Sequence, residues 1–216
     1  SEIDPKGPHD TQTIIFWDKD LHKYLMYSRY FLRREGIKER GVRRSIIDKN
    51  FSEINDTGLA IWPDISDKNK YSDILPDGSP MDYYGATIFP YEGVYIMFAQ
   101  AFWHWIPNTV YQGTAEPGMR DIRLAVSRNS IDFKRLGERR PFLTPGPLGR
   151  FDSKQIWVLP NPVIMDDEIW IYYCGFNWDR AGRVDPKSKT GMKEAGISRA
   201  ILRLDGFVSI NAPYGE

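Results

Sequence analysis

The chain has 216 residues, a length that supports one sizeable domain. Its 29 Lys+Arg balance 29 Asp+Glu, so no net field draws it to nucleic acid or to an anionic membrane. No apolar run approaches the roughly 18 residues of a membrane span, and the one cysteine, Cys174, reads as a small core residue without a disulfide partner.

In chain order, residues 1–9 carry Pro5, Gly7 and Pro8 and read as an irregular lead-in without a signal-peptide pattern. From Asp10 a β-rich run continues to Trp17, turns at Asp18 to His22, and resumes as a second run ending in aromatics near Tyr30. Strands are predicted near 12–17, 23–30, 42–48 and 58–62. The same arrangement returns at Asp82, with a turn at Pro90–Gly93, and again at Asp152, with a turn at Met165–Glu168. The leading aspartates lie 72 and then 70 residues apart, a regular period. Each unit also has a second half: Gly41 to Phe51, Asp121 to Phe133, and Gly196 to Phe207.

Four short strands per unit predict an all-β chain. The fold class that fits is a β-propeller of four-stranded antiparallel blades, near 10–63, 82–143 and 152–212 of a single domain. A β-sandwich with chance spacing is the competing reading. Three blades cannot close a ring, because propellers need at least four. The remaining blades are therefore expected from a longer chain or from another chain.

The connections separate into two kinds. Those after first and third strands are short. Those after second strands (31–40, 104–120, 176–195) and between units (63–81, 144–151) are long. In an up-and-down meander the long ones share a rim, where binding and chemistry usually reside. Asp10, Asp82 and Asp152 open their blades on that rim and are expected to converge at the mouth of the central channel. Three readings of them stay open: acid/base work, a cation such as calcium held in the channel, or capping of their own turns.

Arg29, Trp103, His104, Asn177 and Trp178 end second strands on the same rim, and Trp157 lies near the start of the third blade. Trp planes stack on sugar rings while Arg, Asn and His bond hydroxyls, so these six are the candidate substrate contacts. Trp17, Trp62 and Trp170 fall inside predicted strands and read as blade packing. Glu92 belongs to a tight turn on the opposite rim, which removes it as a general acid. His9 adjoins Asp10 and could orient it. The Lys and Arg residues of 33–44 read as a solvated face. No phosphate-binding glycine loop, serine elbow or zinc-ligand cluster is present in the sequence.

The run Asp10-Thr-Gln-Thr…Phe16-Trp17-Asp18…Tyr27-Ser28-Arg29, then Gly41-Val-Arg-Arg-Ser-Ile46…Asn50-Phe51, resembles bacterial five-bladed β-propeller glycosidases, similar to glycoside hydrolase families 32 and 43. Arg123 to Arg128 with Asp132-Phe133, and Leu202 to Ser209, carry the same resemblance. It implies about three blades of an expected five. It also implies a carbohydrate substrate, no required cofactor, and a secreted or periplasmic bacterial setting. By resemblance Asp10 is the base or nucleophile, or the aspartate that tunes the acid, and Asp82 and Asp152 are the other acidic positions. Those families usually supply Glu as the acid, and none stands at a corresponding inner-strand position here. The acid then comes from the other blades or from His104. Otherwise the protein is a non-catalytic carbohydrate-binding propeller, or a propeller with a small-molecule or metal site of another kind.

Overall fold

The computed structural model describes residues 11–34, 37–64, 81–105 and 117–208, with the side chains of 32–39 outside the description. The first blade is one antiparallel sheet of β1 (Ile14–Asp18), β2 (Lys23–Arg34), β3 (Ile37–Ile47) and β4 (Ile54–Ile61), in that order. Asp18 closes the first turn by accepting the backbone N–H groups of Asp20 and Leu21 at 3.0 and 2.9 Å. Asp48 closes the third, gathering the N–H groups of Glu53, Ser52 and Asn50 and the Ser52 hydroxyl. Those bonds hold its carboxyl down to about 2.

The long loop expected at 31–40 is instead ladder. β2 and β3 stay paired out to Arg34 and Ile37. Charged residues dominate that stretch, with Leu32 and Ile37 among them, and a two-stranded ribbon tolerates that composition as well as a loop does.

The second blade holds β5 (Met81–Tyr91), β6 (Val94–His104) and β7 (Gly118–Ser127), with the short β8 (Lys134–Arg135) and β9 (Pro141–Leu143) on the far side of β7. The β5–β6 turn has Glu92 and Gly93 at φ 43° and 74°, the two positive values of a type I′ hairpin. The third blade pairs β12 (Glu168–Phe176) with β13 (Ala195–Arg203) on one side. On the other side lie β10 (Gln155–Val158) and then β11 (Val163–Met165). These are one inner strand interrupted at Pro160-Asn161-Pro162, because two prolines cannot donate to the ladder. Blades two and three touch in the ladder at one parallel pair, Gln155 with Arg120.

Two cores hold the blades face to face. Leu25, Tyr27, Val42 and Ile61 of the first blade pack on Met81, Tyr83, Met97, Ala99 and Ala101 of the second. On the second blade's other face, Phe98, Ile122 and Leu124 pack on Ile156, Val158, Ile169 and Ile171 of the third. The middle blade is covered on both sides, which is why β5, β6 and β7 are buried almost continuously instead of alternately. β13 alternates, and its outward face leaves Ile197 68 % exposed beside Ile201. Among the described residues no helix is long and apolar enough to cross a membrane.

Candidate active site

Gln12, at the head of the first blade, shows where the three blades meet. Its Oε1 accepts from Gln100 Nε2 of β6 at 2.6 Å, and its own Nε2 donates to the Val158 carbonyl of β10 at 3.2 Å. A residue entering one blade reaches both others only near their common axis. Thr87 of β5 adds a bond to the same Val158 carbonyl.

Beside this junction β5 carries a bulge. Tyr83 faces Ala101 and Gly85 faces Gln100, leaving Tyr84 as the extra residue. Bulges re-aim a side chain, and this one lets two consecutive tyrosines both be buried. Tyr83 goes into the core with the first blade, whereas the Tyr84 ring stands against Phe102 at 5.7 Å and Trp157 at 5.8 Å.

Four guanidiniums surround that ring. Arg29, Arg40, Arg120 and Arg180 lie 5.1, 5.2, 4.7 and 5.3 Å from its centroid, within cation–π range. Arg180 also donates to the Tyr84 hydroxyl at 2.9 Å. Burial lowers the Arg29 guanidinium and pushes that of Arg120 down to about 9, with Arg180 and Arg40 adding like-charge repulsion against Arg120. Both remain cationic at neutral pH.

Asp82 is the carboxylate of this group and is buried. Its Oδ2 accepts from Arg40 Nη1 at 3.0 Å and from the Arg40 backbone N–H at 3.2 Å, and His104 Nε2 lies 3.3 Å away. Its Oδ1 is buried and has no hydrogen-bond partner among the described residues. His104 is fixed edge-on to Phe102 at 4.7 Å. The site thus offers one unspent carboxylate oxygen, an imidazole, and an aromatic wall of Tyr84, Phe102 and Trp157.

Of the nine candidates from sequence, Asp82, Arg29, His104 and Trp157 belong to this group. Asp10, like His9 before it, lies outside the described residues. Trp178 reaches the group through its carbonyl, which accepts from Gln155 Nε2 at 2.7 Å, while its ring packs on Phe176. Asp152 has a separate set of partners: Oδ2 accepts from the Tyr173 hydroxyl at 2.8 Å, and the carboxyl packs on Gly146 of the linker. Trp103 points to the opposite side of β6, into the core, with Nε1 donating to Asp121 at 3.0 Å. Asn177 ties the 177–194 loop to itself through Met192 O and the Glu194 N–H.

Sequence reasoning missed Tyr84, Arg40, Arg120, Gln155 and Arg180. It also read the Lys and Arg residues of 33–44 as a solvated face, which the structure corrects at Arg40, Arg43 and Arg44, while the side chains of 33–39 lie outside the description. Arg43 and Arg44 are buried, donating to Ser28 Oγ and to Ser130 Oγ and Thr57 Oγ1, and Arg40 bridges to the next blade. Polar partners facing them across strands make those positions habitable for arginine.

A concavity of about 480 Å³ lies behind β6 and β7, lined by Trp103, Trp105, Asp121, Arg123 and the 144–148 linker, away from the Asp82 group. Asp121 there is fully engaged by Arg123 and Trp103, and burial raises its carboxyl above the usual range against the pull of Arg123. Among the described residues no group of three or more His, Cys, Asp or Glu comes together as a metal site.

Four-stranded meanders stacked face to face about an axis define a β-propeller, and solved structures share this scaffold. The chain matches an N-acetylgalactosamine deacetylase from F. plautii in complex with blood group B trisaccharide, at TM-score 0.55 and 14 % identity. That match covers 89 % of this chain and 50 % of the other. A thermostable family-43 glycoside hydrolase matches at TM-score 0.52 and 18 % identity, over 90 % of this chain and 56 % of that one. The chain therefore spans about half the length of these structures. No family model and no curated protein sequence matches it.

Proposed function

We propose that this chain forms the sugar-holding part of a propeller glycoside hydrolase, with Asp82 as an acidic residue of its active site. The single observation that supports this reading is the state of Asp82. It is a buried carboxylate with one oxygen clamped by Arg40 and the other without a hydrogen-bond partner among the described residues, on a residue paired with Phe102 across the β5–β6 ladder and close to the Tyr84 and Trp157 rings. The free Oδ1 accepts a proton from water or a hydroxyl of the sugar. In keeping with the family resemblance, Asp10 acts as base or nucleophile. Asp152, tied to Tyr173, supports the linker between the second and third blades. The proton for the leaving oxygen comes from His104 or from a blade outside this chain. Such hydrolysis uses carboxylates and water and calls for no cofactor.

Further blades complete the ring against the outward face of the third blade, at β11 and β13. Val163, Met165, Ile197 and Ile201 stand exposed there, as the equivalent faces between blades one, two and three do not.

The test is turnover of a panel of aryl glycosides and oligosaccharides by wild type and by Asp82→Asn. The expected result is a loss of about 10²–10⁴-fold in kcat with sugar binding retained. Sugar binding by a wild type that releases no product would replace the hydrolase by a binding propeller. No sugar binding at all would remove the carbohydrate reading.

A further inference from the structure

We propose that the cavity behind β6 and β7 is a second binding site, separate from the Asp82 group, for a small aromatic carboxylate. Strand alternation keeps the two apart. Phe102 and His104 of β6 face the Asp82 group, whereas Trp103, and Trp105 just beyond the strand, line this cavity. Its volume of about 480 Å³ suits a small molecule. The walls are mostly apolar: the two indoles, Met119, Pro145, Pro147 and Leu148. Leu148 is 47 % exposed, so part of that apolar surface stands open to solvent until a ligand covers it.

The polar groups of the cavity set the charge of the ligand. Asp121, the carboxylate in the wall, is spent on Arg123 and on the Trp103 N–H. Arg183, 5.1 Å from the Trp105 ring, is paired with Asp179 at 2.6 Å. Lys154 is the charge left over. It lines the cavity with its ammonium 5.6 Å from the Trp105 ring centroid, and among the described residues it makes no ion pair. Asp185 feels that charge, but its oxygens accept from the Gly149 and Lys187 N–H groups and the Ser153 hydroxyl. The buried Trp105 indole N–H also has no hydrogen-bond partner among the described residues. An ammonium and an N–H donor therefore remain where the carboxylate is already used, and that surplus of donors suits an anion. A sugar ring would bring several hydroxyls that need acceptors as well as donors, against walls that are mostly apolar. An aromatic ring with one carboxylate matches both parts, the ring on the indoles and prolines and the carboxylate on Lys154.

The experiment is titration calorimetry on the 216-residue chain with cinnamate and indole-3-acetate, their neutral amides, and glucuronate. At least one aromatic carboxylate is expected to bind about tenfold or more tightly than its amide and than glucuronate, an advantage over the amide that shrinks as salt rises. Lys154→Met keeps the stem, removes the charge, and is expected to bring carboxylate and amide to equal affinity. Leu148→Asp, at an exposed position, sets a negative charge in the cavity wall. It is expected to weaken carboxylate binding about tenfold, and it serves where Lys154→Met does not fold. Equal affinity for carboxylate and amide, tighter binding of glucuronate, no binding of either carboxylate, or unchanged binding in the folded variants overturns the proposal.

Discussion

Arg40 Nη1 and Asp82 Oδ2 meet at 3.0 Å, and the Arg40 backbone N–H shares the same oxygen at 3.2 Å. One residue belongs to β3 and the other to β5, so the pair joins the first two blades where the candidate site lies. It also decides which Asp82 oxygen is left over for a ligand.

Breaking that pair from the arginine side leaves a carboxylate of 1 % exposure without its counter-charge. Arg40→Gln is expected to cost about 3–5 kcal/mol of stability, read from urea unfolding. Asp82→Asn added to Arg40→Gln should recover a large part of the loss, since the double variant buries no lone charge. A single variant within experimental error of wild type would show that the pair is not what aligns the two blades.

The repeat was legible because its units recur at a near-constant period and each carries its own turn residues: Asp18 to His22, Glu92-Gly93, Asp166-Asp167. These are local signals, written within a few residues. The arginines of the site are not local in this sense. Arg40, Arg120 and Arg180 come from the first blade, the second blade and a loop of the third, and each resembles a solvated strand or loop residue in its own neighbourhood. What makes them a cluster is the bulge that turns Tyr84 toward them, and nothing in Asp82-Tyr83-Tyr84-Gly85 says which tyrosine faces the core. Trp103 and His104 pose the same problem. As neighbours on one strand they must point to opposite sides, so a reading that assigned both to the sugar could hold for one at most.

That alternation gives a prediction. Trp157→Ala is expected to weaken sugar binding about tenfold or more, because its ring forms part of the aromatic wall. Trp103→Phe removes the bond to Asp121 on the other side of β6 and is expected to leave sugar affinity within about twofold while lowering stability by about 1–3 kcal/mol. Calorimetry with the preferred ligand and urea unfolding on both variants separate the two. Loss of sugar affinity in Trp103→Phe would move the binding surface to the concavity behind β6 and β7.

Stability at alkaline pH should report Tyr27. Its hydroxyl donates to the Ser130 carbonyl at 2.7 Å, and burial pushes the phenol up to about 12 against the nearby Arg44. In the unfolded chain the same group titrates near 10, so between pH 10 and 12 the folded state binds a proton that the unfolded state has lost. Its contribution is intact below pH 10 and falls by up to about 1.4 kcal/mol per pH unit across that window. Tyr27→Phe removes the ionisable group, and its unfolding free energy should decline less steeply over the same range. Parallel curves for the two proteins would assign the alkaline loss elsewhere.

Gly118 links the site to the ladder that supports it. It pairs with His104 across β6 and β7, two residues before Arg120, and its carbonyl accepts from the Arg180 N–H at 3.4 Å. A methyl group there would collide with the Trp103 carbonyl and come within 2.6 Å of the Phe102 ring. Neither can yield cheaply: the carbonyl is backbone within the sheet, and Phe102 is fully buried between Tyr84 and His104. Gly118→Ala is therefore expected to cost about 1–3 kcal/mol and to weaken ligand binding as well, because relief must shift His104 or Arg120. Gly58→Ala provides the contrast. It has open space around it but φ of +102°, so it should lose about 1 kcal/mol through backbone strain alone and leave binding unchanged. Equal effects of the two substitutions on ligand affinity would mean that the Gly118 contact does not position the site.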